Sequence, residues 1–550
     1  MVSGSERSRR GRAVLIALVA ALTAYVSFAM LWGFDWFPGL HGDEAWVGLR
    51  ALENESRGFF TLRGMNYYSG AIHPYIVSLA FRAVGPSVVA LRAVGLAWNL
   101  LAVTILVVHL ARRFGLRSAL TFLLLLAGSV LLLFEARLAW EVCAWNALLC
   151  AVLLVSSHAL LDERSTSGRL RLPLFAFLFF SGGIVGLLNH YAFGCVSLAF
   201  LAAAVLLALV SAGPTQSRFL LANLINAVGL VAVYRGREAF ADEARFGRDK
   251  TMVLAGIALL PVTELAIFLV ADRGMAFVRA RGWIARVMGG DGLRRRLVEA
   301  ARAALLGCVL VATLAGLAAF WAIHGDGFVG ALSGTKVTMR LFSWIQPLPL
   351  QVAGWIFVAA VMVAYAITTM TALRTCARRE IPASSVLPVL LPPFYAAALA
   401  GSTDVSSLRH FGPVLLLLFV ALAIRAPAIR SRRRLVAAWI AAGAFAVMTQ
   451  SAAWATMGGA ANRAPVRFRL GATTETSAHF VPTRPVYESL KARGICRYAG
   501  EPGDAWFVAY PLYFYKALDG YACDNPTTVW MSYYHDGLEP PGFEVHVRGR

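Results

Sequence analysis

The stretch AVLIALVAALTAYVSFAMLW, which occupies Ala13–Trp32, decides the fold class of this chain. It contains no charged side chain, and its length matches the roughly 20 apolar residues that a helix needs to cross a bilayer. A secretory signal peptide has a shorter apolar region and a small-residue cleavage site, and no such site is evident before Phe34-Asp35-Trp36. We therefore expect Ala13–Trp32 to form a membrane helix that the protein retains.

Similar apolar blocks recur along all 550 residues, of which 59% are hydrophobic and 15% are charged. Repeated blocks of this length indicate many membrane crossings rather than one large soluble core. We predict an α-helical polytopic membrane protein with about 13 transmembrane helices and a small C-terminal α/β domain outside the cytoplasm. The predicted crossings lie near residues 13–32, 87–110, 118–134, 142–161, 172–188, 192–212, 219–234, 251–271, 303–323, 351–372, 385–401, 411–427 and 435–455.

The net charge of +21 comes mainly from arginines in the short loops between the apolar blocks. This distribution is the positive-inside pattern of membrane proteins, so the charge does not indicate a nucleic-acid partner. Arg7, Arg9, Arg10 and Arg12 predict a cytoplasmic N-terminus in a multi-pass protein of the cell's inner, or plasma, membrane. The weakly apolar segment 219–234 must also be a crossing, because otherwise the arginine-rich loop around Arg294-Arg295-Arg296 would face outward.

Most of the sequence outside the membrane lies in a few long regions on the predicted outer face. We predict a transmembrane domain over residues 1–455, whose first outer loop, 33–86, is the richest in candidate site residues. A second outer loop covers 324–350. Residues 456–550 are mixed in composition and rich in aromatic side chains, which predicts a small separate extracytoplasmic domain.

The C-terminal region carries recognisable secondary-structure patterns. Thr483–Gly494 predicts a short helix that ends at the glycine. Ala505–Lys516 is rich in Trp, Phe, Val and Tyr, which favours a strand. Cys496 and Cys523 are candidates for a disulfide if this region lies outside the cytoplasm, where thiols are oxidised.

Asp43 and Glu44, in the run His41-Gly42-Asp43-Glu44, closely follow the first crossing. A charged side chain at the bilayer centre costs roughly 2.5–3.5 kcal/mol, so adjacent carboxylates belong in a wet loop or a functional cavity. Neighbouring residues of a helix point about 100° apart, so we expect one carboxylate to face a cavity and the other to hold structure. The alternative is an interfacial loop with solvated charges and aromatic anchors such as Tyr67 and Tyr68.

Three further groups of polar residues lie where predicted crossings meet the outer surface. Arg137 and Glu141 are four residues apart, a spacing that permits an ion pair or leaves Arg137 for a cavity. His190 lies in a tight turn and suits either a cap or a ligand contact. Arg409 and His410 suit an anionic headgroup or a phosphate, and an interfacial arginine is the simpler alternative.

Several short motifs follow one another along the chain. They are Asp43-Glu44-Ala45, Tyr68-Ser69-Gly70, His73-Pro74-Tyr75, Phe81-Arg82, Gly85-Pro86-Ser87, Ala90-Leu91-Arg92, Ala111-Arg112-Arg113-Phe114-Gly115, Arg137 with Glu141, and Arg409-His410. In this order they resemble the GT-C superfamily of lipid-dependent glycosyltransferases. The branch most similar contains protein O-mannosyltransferases, lipid A aminoarabinose transferases and rhizobial lipopolysaccharide-core galacturonosyltransferases. The chain departs from that branch at His73, where many members have lysine, and at His410, where tyrosine is usual.

The resemblance implies a GT-C membrane glycosyltransferase that moves a sugar, with inversion, from a polyprenyl-phosphate donor to an acceptor on the outer face. It implies Asp43 as the catalytic base and Glu44 as the alternative. The acceptor is a lipid, a glycan or a protein of the cell envelope, and membrane lipids are further partners. No cofactor or metal ligand is assigned, although a divalent cation is compatible with the two carboxylates. The candidates for binding the donor phosphate or sugar are Arg57, Arg63, His73, Arg137, His190, Lys336, Arg409 and His410.

Two other protein classes fit the same composition. An O-antigen ligase or polymerase also uses a lipid-linked donor, but its discriminating feature is a large outer loop late in the chain. The long loop here, 33–86, comes first. A transporter of lipid-linked sugars would place charges in a midplane cavity, usually with internal repeats and broken helices, and neither is visible in this sequence.

Overall fold

The computed structural model describes residues 3–35, 39–162, 170–210, 213–280, 292–337, 346–377, 382–401, 408–429, 431–460, 465–470, 473–478, 483–500, 505–524, 527–534 and 542–547. Helices dominate this part of the chain. In chain order they are α1 (Ser3–Leu31), α2 (Gly42–Arg57), α3 (Ile72–Val84), α4 (Val88–Phe114), α5 (Leu116–Gly128), α6 (Val130–Glu135), α7 (Glu141–Leu160), α8 (Arg171–Asn189), α9 (Phe193–Val210), α10 (Pro214–Ala239), α11 (Glu243–Ala280), α12 (Gly292–Ser333), α13 (Leu348–Ala377), α14 (Ala383–Ala400), α15 (Gly412–Arg425), α16 (Arg432–Ala460), α17 (Thr483–Ala492) and α18 (Ala505–Leu518).

Among the described residues, eleven helices are long and apolar enough to cross a membrane. Each of them covers one of the predicted crossings, so the prediction of a multi-pass helical membrane protein is confirmed. The weakest predicted crossing, 219–234, lies within α10 and is one of the eleven. Side chains that point away from the bundle, such as Val311 and Ile356, are apolar and exposed, as expected of residues that face lipid.

The other two predicted crossings differ in form. The segment 118–134 is divided into α5 and α6, so the prediction of one continuous helix there is wrong. The hydroxyl of Ser129 accepts a hydrogen bond from the backbone N–H of Leu132 at 3.3 Å, which caps a new helix at that point. The segment 435–455 lies within α16, which is a long helix but is not one of the eleven described spans.

The first outer loop is folded rather than irregular, since it contains α2 and α3. The turn between these helices is attached to the end of α8. The backbone N–H of Gly70 donates to the carbonyl oxygen of Asn189 at 2.7 Å, and Ser69 forms a β-bridge with His190. A side chain at Gly70 would overlap the carbonyl of Leu188, so the close approach requires glycine. The loop is therefore positioned by the helix bundle.

The C-terminal region contains five strands, β1 (Pro465–Leu470), β2 (Thr473–Ala478), β3 (Arg497–Gly500), β4 (Thr528–Tyr534) and β5 (Gly542–Val547). They form one sheet in the order β2-β1-β5-β4-β3. Strands β1 and β2 are antiparallel, β1 and β5 parallel, β4 and β5 antiparallel, and β3 and β4 parallel. Together with α17 and α18, this sheet agrees with the predicted α/β fold of the region.

One local prediction in this region is confirmed and one is wrong. The predicted helix at 483–494 is α17, and Gly494 follows it with a φ of 71°. The predicted strand at 505–516 is instead α18. Its apolar residues Ala509, Leu512 and Tyr515 recur at helical spacing and are buried against the membrane domain. This tertiary packing outweighs the strand preference of the aromatic residues.

Candidate functional site

α2 begins where the first outer loop meets the ends of the membrane helices. Its N-cap is His41, whose ring Nδ1 accepts a hydrogen bond from the backbone N–H of Asp43 at 3.1 Å. The carboxylate of Glu44 accepts a hydrogen bond from the backbone N–H of His41 at 3.2 Å, which completes a capping box. Both carboxylates therefore lie in the first turn of α2, where the helix dipole favours negative charge.

Asp43 forms an ion pair with Arg409, a residue 366 positions later in the chain. The Oδ2 atom of Asp43 is 2.7 Å from a terminal nitrogen of Arg409, and the two side chains are only 12% and 14% exposed. Arg409 lies in the single 3-10 turn Leu408–Phe411 that precedes α15. Its guanidinium carbon lies 5.3 Å from the ring centre of Trp140. The sequence predicted both members of this pair as site residues, and the fold brings them into contact.

Glu44 is fully buried and has a different set of partners. Its two carboxylate oxygens accept hydrogen bonds from Nε and a terminal nitrogen of Arg92, each at 2.8 Å. The backbone N–H of Ala139 donates to the same carboxylate at 2.9 Å. Arg92 also donates to the carbonyl oxygen of Phe34 at 2.8 Å. This bidentate pair joins α2 to α4 and to the segment before α7, so its geometry is that of a structural ion pair.

Four buried polar atoms close to the Asp43–Arg409 pair have no hydrogen-bond partner within the described part of the chain. They are Nε of Arg409, Nε1 of Trp140, Nε2 of His190 and Nδ1 of His410. The rings of His190 and His410 are 5.6 Å apart. Buried polar groups are nearly always paired with protein, water or a ligand, so this group indicates a binding place for a polar molecule.

Burial lowers the pKa of His41, against the opposing effect of the neighbouring carboxylates. Burial also lowers the pKa of His190 well below its usual value, and the charges of His410 and Arg409 act in the same direction. Both imidazoles are therefore neutral at pH 7, with one N–H donor and one acceptor nitrogen each. Such rings suit hydroxyl groups, which also donate and accept.

Arg237, which the sequence analysis did not select, holds the loop around Tyr68 against the bundle. Its guanidinium donates to the carbonyl oxygens of Tyr67 at 3.1 Å, of Leu187 at 3.3 Å and of Ser69. Arg92 was quoted within a motif but not selected as a site residue. Arg92 is an isolated charge within the predicted crossing 87–110, and that isolation is a sequence signal that marks it. Arg237 lies just beyond the crossing 219–234, beside Arg235 and Glu238, and carries no such signal.

Two predicted donor-binding residues face protein partners instead of the Asp43–Arg409 pair. The ring of His73 is fully buried between the carbonyl oxygen of Ala139, at 3.1 Å, and the indole N–H of Trp145, at 3.3 Å. Arg137 donates to the carbonyl oxygen of Ala29 in α1, and burial lowers its pKa to about 10. Arg137 forms no salt bridge with Glu141, whose charge acts on Arg409 instead.

Three other predicted cations contact residues other than Asp43 and Arg409. Arg57 is at the last turn of α2, about 21 Å from Asp43 along the helix, and it pairs with Glu53 and Glu243. Arg63 is exposed, and its backbone pairs with that of Gly70. Lys336 pairs with Asp326. Of the ten predicted site residues, the structure groups Asp43, Glu44, His190, Arg409 and His410.

The arrangement of the carboxylates does not suit a divalent cation. Among the described residues, no three His, Cys, Asp or Glu side chains form a group that could hold a metal ion. Asp43 and Glu44 are each bound to an arginine, which supplies the positive charge that a metal would bring.

No protein-family model and no curated protein matches this chain. Two crystal structures of ArnT from Cupriavidus metallidurans are similar to it. The apo structure has 14% sequence identity and a TM-score of 0.34, over 76% of this chain and 78% of that one. The structure bound to undecaprenyl phosphate has 13% identity and a TM-score of 0.37, over 94% and 93%. Similarity at this level identifies neither a family nor an activity, so both depend on the site.

Proposed function

We propose that this protein is a membrane glycosyltransferase of the GT-C type that transfers a sugar from a polyprenyl-phosphate donor to an acceptor hydroxyl at the membrane surface, with inversion. The observation that supports it most is the contact of Asp43 with Arg409. This contact places a carboxylate and a guanidinium together at one end of a membrane-helix bundle, beside buried polar atoms that have no hydrogen-bond partner in the described part of the chain.

Asp43 is the proposed base. An acceptor hydroxyl that attacks the anomeric carbon must lose its proton, and a carboxylate within hydrogen-bond distance takes it. The Oδ2 atom of Asp43 already accepts a bond from Arg409, which orients the carboxylate. The capping of α2 by His41 fixes the backbone beneath it.

Arg409 is the proposed ligand of the donor phosphate. A phosphate leaving group gains negative charge as the sugar departs, and a guanidinium placed there stabilises that charge. A terminal nitrogen of Arg409 donates to Asp43, while its Nε, which has no hydrogen-bond partner among the described residues, can donate to a phosphate oxygen. The imidazole rings of His190 and His410 are buried beside Arg409, and each has a ring nitrogen that suits a hydrogen bond with a sugar hydroxyl.

Glu44 has a positioning role in this proposal. Because both of its oxygens are engaged by Arg92 and backbone N–H groups, it aligns α2 rather than reacting with the substrate. The pair is completely buried, which gives it little freedom to move.

The first experiment measures transfer from a panel of radiolabelled polyprenyl-phosphate sugars by protein purified into lipid nanodiscs, with cell-envelope extract as the acceptor source. Asp43→Asn is compared with Glu53→Gln, which alters an exposed carboxylate on the same helix. We expect one donor to be used, kcat to fall by about 10²–10⁴-fold in Asp43→Asn, and Glu53→Gln to retain wild-type turnover. Donor binding by Asp43→Asn should persist.

The kinetic pattern separates the proposed role from its rivals. If Asp43 only orients Arg409, Asp43→Asn will raise the KM for the donor and leave kcat nearly unchanged. If a control enzyme uses the donors and acceptors but wild-type protein neither binds nor turns over any of them, the glycosyltransferase proposal fails.

A further inference from the structure

An apolar groove opens on the lipid-facing side of the bundle, away from the Asp43–Arg409 pair. It has a volume of about 800 Å³ and is lined by α5, α13, α15 and α16. Along α13 its lining extends from Ala353 to Thr371, about 27 Å at the helical rise and close to the hydrocarbon thickness of a bilayer. The groove is therefore long enough for a lipid chain that lies parallel to the helices.

Small side chains on two helices keep the groove open. Ala360 and Ala364 line it from α13, and Ala438 and Ala442 line it from α16. The indole of Trp439, between those last two, donates to the hydroxyl of Thr121 at 2.9 Å, which fixes one wall. A side-chain hydrogen bond between α5 and α16 therefore holds one wall of the groove.

Arg425 is the charged residue among the described lining residues, and it lies at one end of the groove. It ends α15, while Arg409 precedes the same helix. The two arginines are sixteen residues apart, so the helical rise places their backbone positions about 24 Å apart, at opposite membrane faces. None of the described residues that line the groove is acidic.

We propose that this groove binds an anionic phospholipid, whose headgroup phosphate pairs with Arg425 and whose acyl chains lie between α13 and α16. Positive charge without acidic residues favours an anionic headgroup over a zwitterionic one. The polyprenyl-phosphate donor is a poor fit, because its phosphate would then lie at the membrane face opposite Arg409. This binding does not depend on the proposed transferase activity.

Native mass spectrometry of the purified full chain tests the proposal, with phosphatidylglycerol, phosphatidylcholine and polyprenyl phosphate offered in competition. We expect wild-type protein to retain one phosphatidylglycerol in preference to the other two lipids. Arg425→Gln should weaken that retention by about fivefold. The matched control Arg433→Gln changes an exposed arginine outside the lining and should retain the lipid as wild type does.

A second pair of variants tests the groove itself. Ala364→Phe fills it, whereas Ala359→Phe adds the same ring to an exposed position of α13 outside the lining. We expect loss of phosphatidylglycerol only in Ala364→Phe. The proposal is overturned if Arg425→Gln and Arg433→Gln retain the lipid equally, if phosphatidylcholine is retained as well as phosphatidylglycerol, or if polyprenyl phosphate displaces both.

Discussion

At the scale of single residues, Asp43 and Glu44 are neighbours with separate partners. The side chain of Asp43 is slightly exposed and pairs with Arg409, whereas that of Glu44 is completely buried and pairs with Arg92. Their separation follows from the helical turn between adjacent residues, which directs the two side chains to different neighbours. The proposed chemistry belongs to the more accessible carboxylate, and the stability of the site depends on the buried one.

Glu44→Gln is expected to destabilise the protein strongly, because Arg92 would retain a buried charge without a full counter-charge. Loss of one member of a buried ion pair costs about 3–5 kcal/mol. The midpoint of thermal unfolding in detergent measures the effect. Glu53→Gln, at the exposed face of α2, should change stability by no more than about 0.5 kcal/mol, so equal midpoints for these two variants would contradict the assignment.

His73 is expected to make stability depend on pH. Burial lowers its pKa from 6.5 to about 4, although the hydrogen bond with Ala139 opposes the shift. The unfolded chain therefore binds this proton first, and stability is lost as the pH falls from about 6.5 towards 4. The loss is at most about 3 kcal/mol. His73→Gln removes the titration, so its unfolding midpoint should fall less than the wild-type midpoint over this range. If the unfolding midpoints of wild type and His73→Gln fall equally with pH, His73 is not a source of the pH dependence.

At the scale of elements, α18 of the C-terminal region packs directly on α2. Phe514 lies over Gly48, where a Cβ atom would overlap its ring, and it stacks on Phe81 with 6.3 Å between the ring centres. Gly48 is five residues from Asp43 on the same helix. The C-terminal region therefore supports the helix that carries the proposed base.

Gly48→Ala is expected to displace α18 and lower both the unfolding midpoint and any transfer activity. Gly247→Ala in α11 is the matched control, because nothing lies within 4 Å of its Cβ position. That control should be neutral or slightly stabilising, since alanine favours helix over glycine by roughly 0.5–1 kcal/mol. Replacing Phe514 by leucine in the Gly48→Ala background should restore part of the loss, and an unchanged loss would argue against this contact as its cause.

At the scale of the whole molecule, a disulfide between Cys496 and Cys523 joins the residue before β3 to the segment after α18. The Cα atoms of the two cysteines are 6.1 Å apart, and the cysteines are 27 positions apart in sequence. Disulfides persist in oxidising compartments, and the sequence analysis predicts that this region lies in such a compartment, outside the cytoplasm.

Peptide mapping of protein from native membranes, without reduction, is expected to recover Cys496 and Cys523 in one linked pair of peptides. Replacing both cysteines by serine should destabilise the C-terminal region by about 2–4 kcal/mol. The buried Cys150 serves as the internal control, because it should be alkylated only after denaturation. Alkylation of Cys496 and Cys523 without a reductant would exclude both the bond and this argument for the compartment.

Local patterns in the sequence determined the membrane class, eleven of the crossings, the helix at 483–494 and the selection of Asp43 and Arg409. Apolar run length is sufficient for a crossing, because every backbone group within the hydrocarbon must be satisfied inside its own helix. Charges beside such runs are costly, which is why they can be recognised one by one.

Only the tertiary structure determined which charged side chains form ion pairs with each other. It paired Asp43 with Arg409 across 366 positions, assigned Glu44 to Arg92, and left Arg57 and Lys336 with other partners. Tertiary packing also placed residues 505–516 in a helix, α18, rather than in the predicted strand. Ion pairing acts over a few ångströms in space and leaves no periodic trace along the chain, so helix packing, rather than sequence spacing, determines the partners.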